Sequence, residues 1–226
     1  MAKFPHHQFS NAADFQRECL EGSRISPEFW NTSLTILEEQ DIDPLTHEVL
    51  GTPIHNALGW KYTRFVQEIE QPLIAGAFLQ ATGDVFQLKL SRARLDKKKA
   101  GKPVKYETPI GNGSRAFLPA VPEAIQLAIL RRQGHSHIGT VAPAHWWKLV
   151  EKHPEIPLVI GEGGKKGLCG LSHGYGAIAL TGVNGGYNVT VDGQRILNPD
   201  LEPLMVKGRR VIFAFDHAAQ RTTRRK

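Results

Sequence analysis

The sequence predicts a mixed chain in which α+β passes into α/β. A small helical amino-terminal segment covers residues 1–58, a curled antiparallel sheet residues 59–120, and a parallel α/β domain residues 121–226. Three observations carry the prediction. Cap and proline signals precede the early apolar positions, and residues 85–90 alternate as a half-buried strand does. Late in the chain, PLVIGE and VIFAFD are apolar runs that each end on an acid, Glu162 and Asp216. Parallel strands of one sheet would deliver both carboxylates to its carboxyl edge, where open α/β sheets bind ligands.

Ser10 or Asn11 can cap a helix through Phe15, Cys19 and Leu20 that stops near Gly22. Ser26-Pro27-Glu28 supplies a cap, a first-position proline and an early acid for a second helix carrying Phe29, Leu34, Ile36 and Leu37. The loop DIDPLTHEVLGTP completes the segment. From Gly59 onward GWKYTRFV, PLIAGAFLQ, DVFQLKL, VKYETP and SRAFLP read as short strand-like runs, with a lysine-rich exposed loop between strands. Beyond Pro119, PEAIQLAILRRQ has helical spacing, residues 143–150 form a second short helix, and PLVI is a buried strand. Residues 164–172 form a helix closed by His173-Gly174, and residues 177–180 form the next strand. Asp192-Gly193 signals a type I′ hairpin, and residues 210–215 give a last strand.

Composition narrows the functional classes. The chain has 226 residues, 41% of them hydrophobic, and no apolar stretch near the roughly 20 residues that span a bilayer. MAKFPHHQFS lacks a signal-peptide layout, so no membrane and a cytoplasmic location are expected. Two cysteines, Cys19 and Cys169, give neither a disulfide framework nor a zinc ribbon, and both are expected as buried thiols. The net charge of +6 is unevenly placed. Lys89, Arg92, Arg94, Lys97, Lys98, Lys99, Lys102 and Lys105 face one acid, Asp96, and the tail adds Arg221, Arg224, Arg225 and Lys226. Such clustering suits polyanion binding through counterion release, while a solvated loop and tail remain the plain alternative.

Several motifs fail on spacing. Gly161-Glu162-Gly163-Gly164 follows a strand, but Lys166 stands where a dinucleotide fingerprint needs its third glycine, and no Ser or Thr follows the lysines in the Walker frame. Glu162 with Asp216 is the stronger constellation, because magnesium is commonly held by one or two carboxylates plus substrate phosphates. Lys165 and Lys166 would then face the same anion from the helix start. The simpler alternative is that Glu162 caps the helix and Asp216 ends a strand. His135 and His137 lack partners for a tetrahedral metal set. Trp146 and Trp147 read as core anchors rather than base-stacking platforms. Ser172-His173 pairs a nucleophile with a base in sequence only.

Three ordered blocks, GKPVKYETPIGNGSRAFLPAVP, IPLVIGEGGKKGLCGLSHGYGAIALTGVNGGY and GRRVIFAFDHA, together resemble the Toprim-like domain family of plasmid replication proteins of the primase-helicase type. The resemblance implies a Toprim-like fold, DNA as partner, and magnesium-assisted nucleotidyl or phosphodiester chemistry, with a helicase or other replication partner. It places Glu162 at the family glutamate and Asp216 at the first aspartate of Asp-x-Asp, as catalytic residues and metal ligands. Ala218 takes the second aspartate position, so the Mg2+ site is expected to be weak or lost, leaving a noncatalytic DNA-binding or assembly module as the alternative. Lys97, Lys98, Lys99, Lys102, Lys105, Lys165, Lys166, Arg224 and Arg225 are the expected nucleic-acid contacts. Because the sequence ends just past Asp216, the resemblance also implies a truncated relative or a fragment of a longer replication protein.

Overall fold

The structure is a computed structural model that describes residues 6–61, 72–96 and 101–216. In chain order the elements are β1 (His6–His7), α1 (Ala12–Arg17), β2 (Leu34–Glu38), β3 (Asp41–Ile42), β4 (Val49–Gly51), α2 (Pro53–Leu58), β5 (Ile74–Leu79), β6 (Val85–Leu90), β7 (Arg92–Ala93) and β8 (Ala116–Phe117). There follow α3 (Glu123–Arg132), α4 (Trp146–Lys152), β9 (Leu158–Glu162), α5 (Gly164–Ser172), β10 (Gly176–Leu180), β11 (Tyr187–Val189), β12 (Arg195–Leu197) and β13 (Val211–Ala214). The fold is a mixed α/β arrangement of several small sheets with few helices.

Asn11 caps α1 as its position suggests, its Oδ1 accepting from the Asp14 amide at 2.9 Å. The helix then widens into a π turn over Glu18–Gly22. The second expected helix does not form. Only a 3-10 turn, Pro27–Phe29, is made, and Asn31 then takes a positive φ of 63°, which ends any helical path. Residues 34–38 become β2, antiparallel to β5, where Leu34 is buried and the β-branched Thr35 and Ile36 suit a strand. The amino-terminal segment is therefore less helical than its cap signals imply. Within DIDPLTHEVLGTP, β3 and β4 pair as a small hairpin, and Pro53 opens α2.

β2, β5 and β6 form an antiparallel sheet in the order β2-β5-β6; of the runs expected in residues 59–120, PLIAGAFLQ and DVFQLKL supply β5 and β6, while β2 comes from the segment expected to be helical. One face, carrying Ala75, Ala77, Leu88 and Leu90, packs on Ile54 and Leu58 of α2. The other face meets α1. Gly76 lies opposite both Ile36 and Lys89, and directly opposed residues share a face. SRAFLP does contribute a strand, β8, but it joins the other sheet through β10. GWKYTRFV falls largely outside the described residues.

The second sheet has the order β13-β9-β10-β8, with β13, β9 and β10 parallel and β8 antiparallel. After β9, the chain crosses through α5 to β10 on one side, and later returns with β13 on the other. The strand order therefore reverses at β9, and the crevice at the carboxyl ends of β9 and β13 is a topological switch point. Gly167 and Gly170 let α5 lie close on β10, since a Cβ at Gly170 would sit 2.6 Å from the Ala177 Cβ. Phe78, Phe86 and Phe117 join the two sheets, with the Phe86 and Phe117 rings stacked at 4.8 Å. Trp146 and Trp147 are buried core anchors, and Trp147 donates its indole N–H to the Pro119 carbonyl at 2.8 Å. Arg209, just ahead of β13, donates to the carbonyls of Val150, His153 and Ile156 and so ties that strand to the end of α4.

The Asp192-Gly193 turn differs in type from the expected one. Gly193 has a φ of 83°, but Asp192 is absent from the positive-φ residues, so the two-residue I′ geometry is not adopted. Gly193 N instead donates to Thr190 O at 3.0 Å, and Thr190 N to Gln194 O at 2.9 Å, closing a longer loop.

Candidate nucleic-acid interface

A cleft of about 910 Å³ opens where the two sheets and the amino-terminal segment meet. It gathers residues far apart in sequence: Glu162 and Asp216 from the switch point, Lys165 and Lys166 from the start of α5, and Lys102 and Lys105 from the basic segment. Lys102 and Lys105 are exposed, and neither ammonium has an ion-pair partner among the described residues. Lys97, Lys98, Lys99, Ala218, Arg224 and Arg225 lie outside the described residues.

Glu162 is the last residue of β9 and Asp216 lies two residues beyond β13, its parallel neighbour. The carboxylate of Glu162 is half-buried and has no hydrogen-bond or ion-pair partner among the described residues. Asp216 is held differently: both its oxygens take a hydrogen bond from Lys166 Nζ, each at 2.6 Å. This pair is largely in water, with side-chain exposures of 50% and 79%, so it contributes little to stability.

Magnesium commonly takes one or two carboxylates and completes its octahedron with water and substrate phosphates. As a magnesium pair the two carboxylates are weakened by the ammonium that already faces one of them. Among the described residues no group of three or more His, Cys, Asp or Glu side chains is placed to hold a metal. The cleft thus sets lysines beside two strand-end carboxylates.

The glycine-rich turn has a structural task. Gly163 adopts a φ of 84° to join β9 to α5. The Gly164 amide donates to Gln87 Oε1 at 3.2 Å, so this helix-start N–H is spent on β6 rather than on a phosphate. Ser172 and His173 form no catalytic pair: Ser172 Oγ donates to the Leu168 carbonyl at 2.7 Å, and His173 Nδ1 lies 2.8 Å from the Cys169 carbonyl oxygen. His135 and His137 form no metal set; His135 Nε2 lies 3.1 Å from the Glu155 carbonyl oxygen.

Sequence reasoning missed the acid on the amino-terminal side. Glu18, at the start of the π turn, accepts hydrogen bonds from Lys89 on both oxygens, at 2.6 and 2.5 Å, and from Lys165 on Oε1. Burial works against its ionisation, yet hydrogen bonds from Lys165 and Lys89 outweigh it and hold the carboxyl below its usual range. Nothing in the helix pattern around residue 18 marks that face as functional. Beside it, burial pushes the Tyr106 hydroxyl well above its ordinary pKa.

Burial likewise pushes the Cys19 thiol up to about 12, whereas Cys169 is half-exposed, contrary to the expectation for it. The thiolate is the reactive form. Native protein is therefore expected to release about one equivalent of thiol quickly to a disulfide reagent, and the second only on unfolding. Cys169→Ser should abolish the fast phase, and a fast phase surviving in that variant would contradict the burial of Cys19.

Residues 146–226 match the model of a domain of unknown function (DUF3854). That stretch holds β9, α5, β10 and β13, and so Glu162, Lys165, Lys166 and Asp216. An uncharacterized protein of Picosynechococcus sp. (strain ATCC 27264 / PCC 7002 / PR-6) is 33% identical over 122 residues, a match covering 51% of this chain and 12% of that protein. No solved structure matches. No helix among the described residues is long and apolar enough to cross a membrane.

Proposed function

We propose that this chain is a nucleic-acid-binding module of a DNA replication protein, built on a Toprim-like sheet, that holds DNA in the cleft without processing it. The observation that carries the reading is the convergence of strand-end acids and lysines from separate segments on a single cleft at a topological switch point. Lys102 and Lys105, without an ion-pair partner among the described residues, offer their ammonium groups to backbone phosphates. The grip of Lys166 on Asp216, together with Ala218 in place of the second aspartate, favours binding over turnover. A role beside DNA places the module in the cytoplasm, with a helicase or another replication factor as its natural partner.

Equilibrium binding of labelled oligothymidylate and of duplex DNA, in EDTA and in magnesium, tests this. Salt-sensitive binding that needs no magnesium is expected. Absence of binding, or binding only with magnesium, would overturn it. A second reading rests on the carboxylate of Glu162, which has no partner among the described residues: magnesium-dependent primer synthesis or strand cleavage, abolished by Glu162→Ala, would identify an enzyme instead.

A further inference from the structure

Lys89 and Lys165 come from different elements, β6 and α5, yet their ammonium groups converge on a single carboxylate, that of Glu18. All three side chains line the proposed DNA cleft. They are only partly exposed, 12% for Lys89, 24% for Lys165 and 29% for Glu18, so solvent screens this cluster less than it does Lys166 and Asp216. Two cations against one anion leave a surplus positive charge. A phosphodiester carries the same single negative charge as the carboxylate and offers comparable acceptor oxygens.

Glu18 is the most exposed of the three side chains. Phe15 and Cys19, on either side of it, are fully buried and fix the turn, while Glu21 and Gly22 face solvent. The turn itself is π-helical, a geometry frequent at functional sites. A rotation of the Glu18 side chain alone would release the two lysines and leave its buried neighbours in place.

We infer that Lys89 and Lys165 form a subsite for a nucleic-acid backbone phosphate, and that the Glu18 carboxylate fills it as an intramolecular substitute until DNA displaces it. The inference rests on the DNA-binding reading above and adds the subsite and its self-occupancy. Because the tethered carboxylate competes at high effective concentration, the subsite is open for only a fraction of the time, and apparent affinity falls by that fraction.

The test is oligothymidylate binding across a salt series by wild type, Glu18→Gln, Glu21→Gln, Lys89→Gln and Glu18→Gln/Lys89→Gln. E18Q is expected to bind about 10-fold more tightly than wild type, taking the subsite as roughly one-tenth open. Its salt slope should steepen by about 0.7 for each additional phosphate that the freed lysines neutralise. E21Q removes the same charge from an exposed position and should change little, and the tightening should vanish in the double variant. Should E18Q not fold, Glu18→Asp keeps the charge but shortens its reach, and a smaller tightening over wild type is expected there. If wild type binds and neither Glu18 variant binds more tightly, or if E21Q tightens binding as much as E18Q, the inference is overturned while the DNA-binding reading survives. If none of the proteins binds, both are overturned.

Discussion

Reversing two charges at the cleft mouth, Lys102→Glu with Lys105→Glu, is expected to weaken oligonucleotide binding roughly 100-fold at low salt, taking about tenfold for each lysine reversed. Both side chains are exposed and make no ion pair among the described residues, so the fold has little reason to respond. The affected quantity is the counterion release that accompanies neutralisation of each phosphate. The salt slope on duplex DNA should accordingly fall by about 0.9 for each phosphate no longer neutralised, and weakening should be similar across DNA sequences. Circular dichroism and thermal melting should match wild type. An unchanged slope in a folded variant would remove these lysines from the interface and leave it to the other cleft lysines, Lys89, Lys165 and Lys166, and to Lys97, Lys98, Lys99, Arg224 and Arg225, outside the described residues.

The parts of this molecule legible in its sequence are those set by local patterns. Val85-Phe86-Gln87-Leu88-Lys89-Leu90 alternates and is β6; PLVI and VIFA are apolar runs and become neighbouring parallel strands, with Glu162 and Asp216 beyond the same sheet edge. Three things were not legible, each for a physical reason. Residues 34–38 carry strand-compatible side chains, but the cap at Ser26-Pro27 is the stronger local signal; the pairing with β5 that decides the matter is long-range. Glu18 has the sequence context of an ordinary helix acid. Its partners Lys89 and Lys165 lie far along the chain, and only the docking of α1 on the antiparallel sheet brings them together. The glycines of GGKKGLCG invite a phosphate-binding interpretation, whereas Gly167 and Gly170 allow close approach of α5 to β10. A glycine kept for packing and one kept for a ligand look alike until their neighbours are known.

The docking of α1 depends on one residue, and Gly76→Ala is expected to be among the most destabilising single substitutions in the chain. Gly76 lies in the central strand β5, and a Cβ there would sit 2.1 Å from the Phe15 Cζ. Phe15 is fully buried and packs edge-on to Phe78 with centroids 6.1 Å apart, so it can withdraw only by displacing packed neighbours. Overpacking of this kind typically costs about 1–3 kcal/mol, and a loss of about 3 kcal/mol is expected because the clash is with a ring confined on several sides. Denaturant unfolding should show a lower midpoint with the slope unchanged. Phe15→Ala removes the clashing ring at a cost of its own of roughly 3–5 kcal/mol. The double variant should therefore be destabilised by less than the sum of the two single changes, the signature of direct contact. Because Lys89 shares the face of Gly76 and α1 leads into Glu18, any shift of Phe15 also moves that carboxylate from its two lysines. Gly76→Ala protein that remains folded should thus bind oligothymidylate more tightly than wild type, as Glu18→Gln does. Tightening in Glu18→Gln without it in folded Gly76→Ala would mean that Phe15 absorbs the clash without moving the turn.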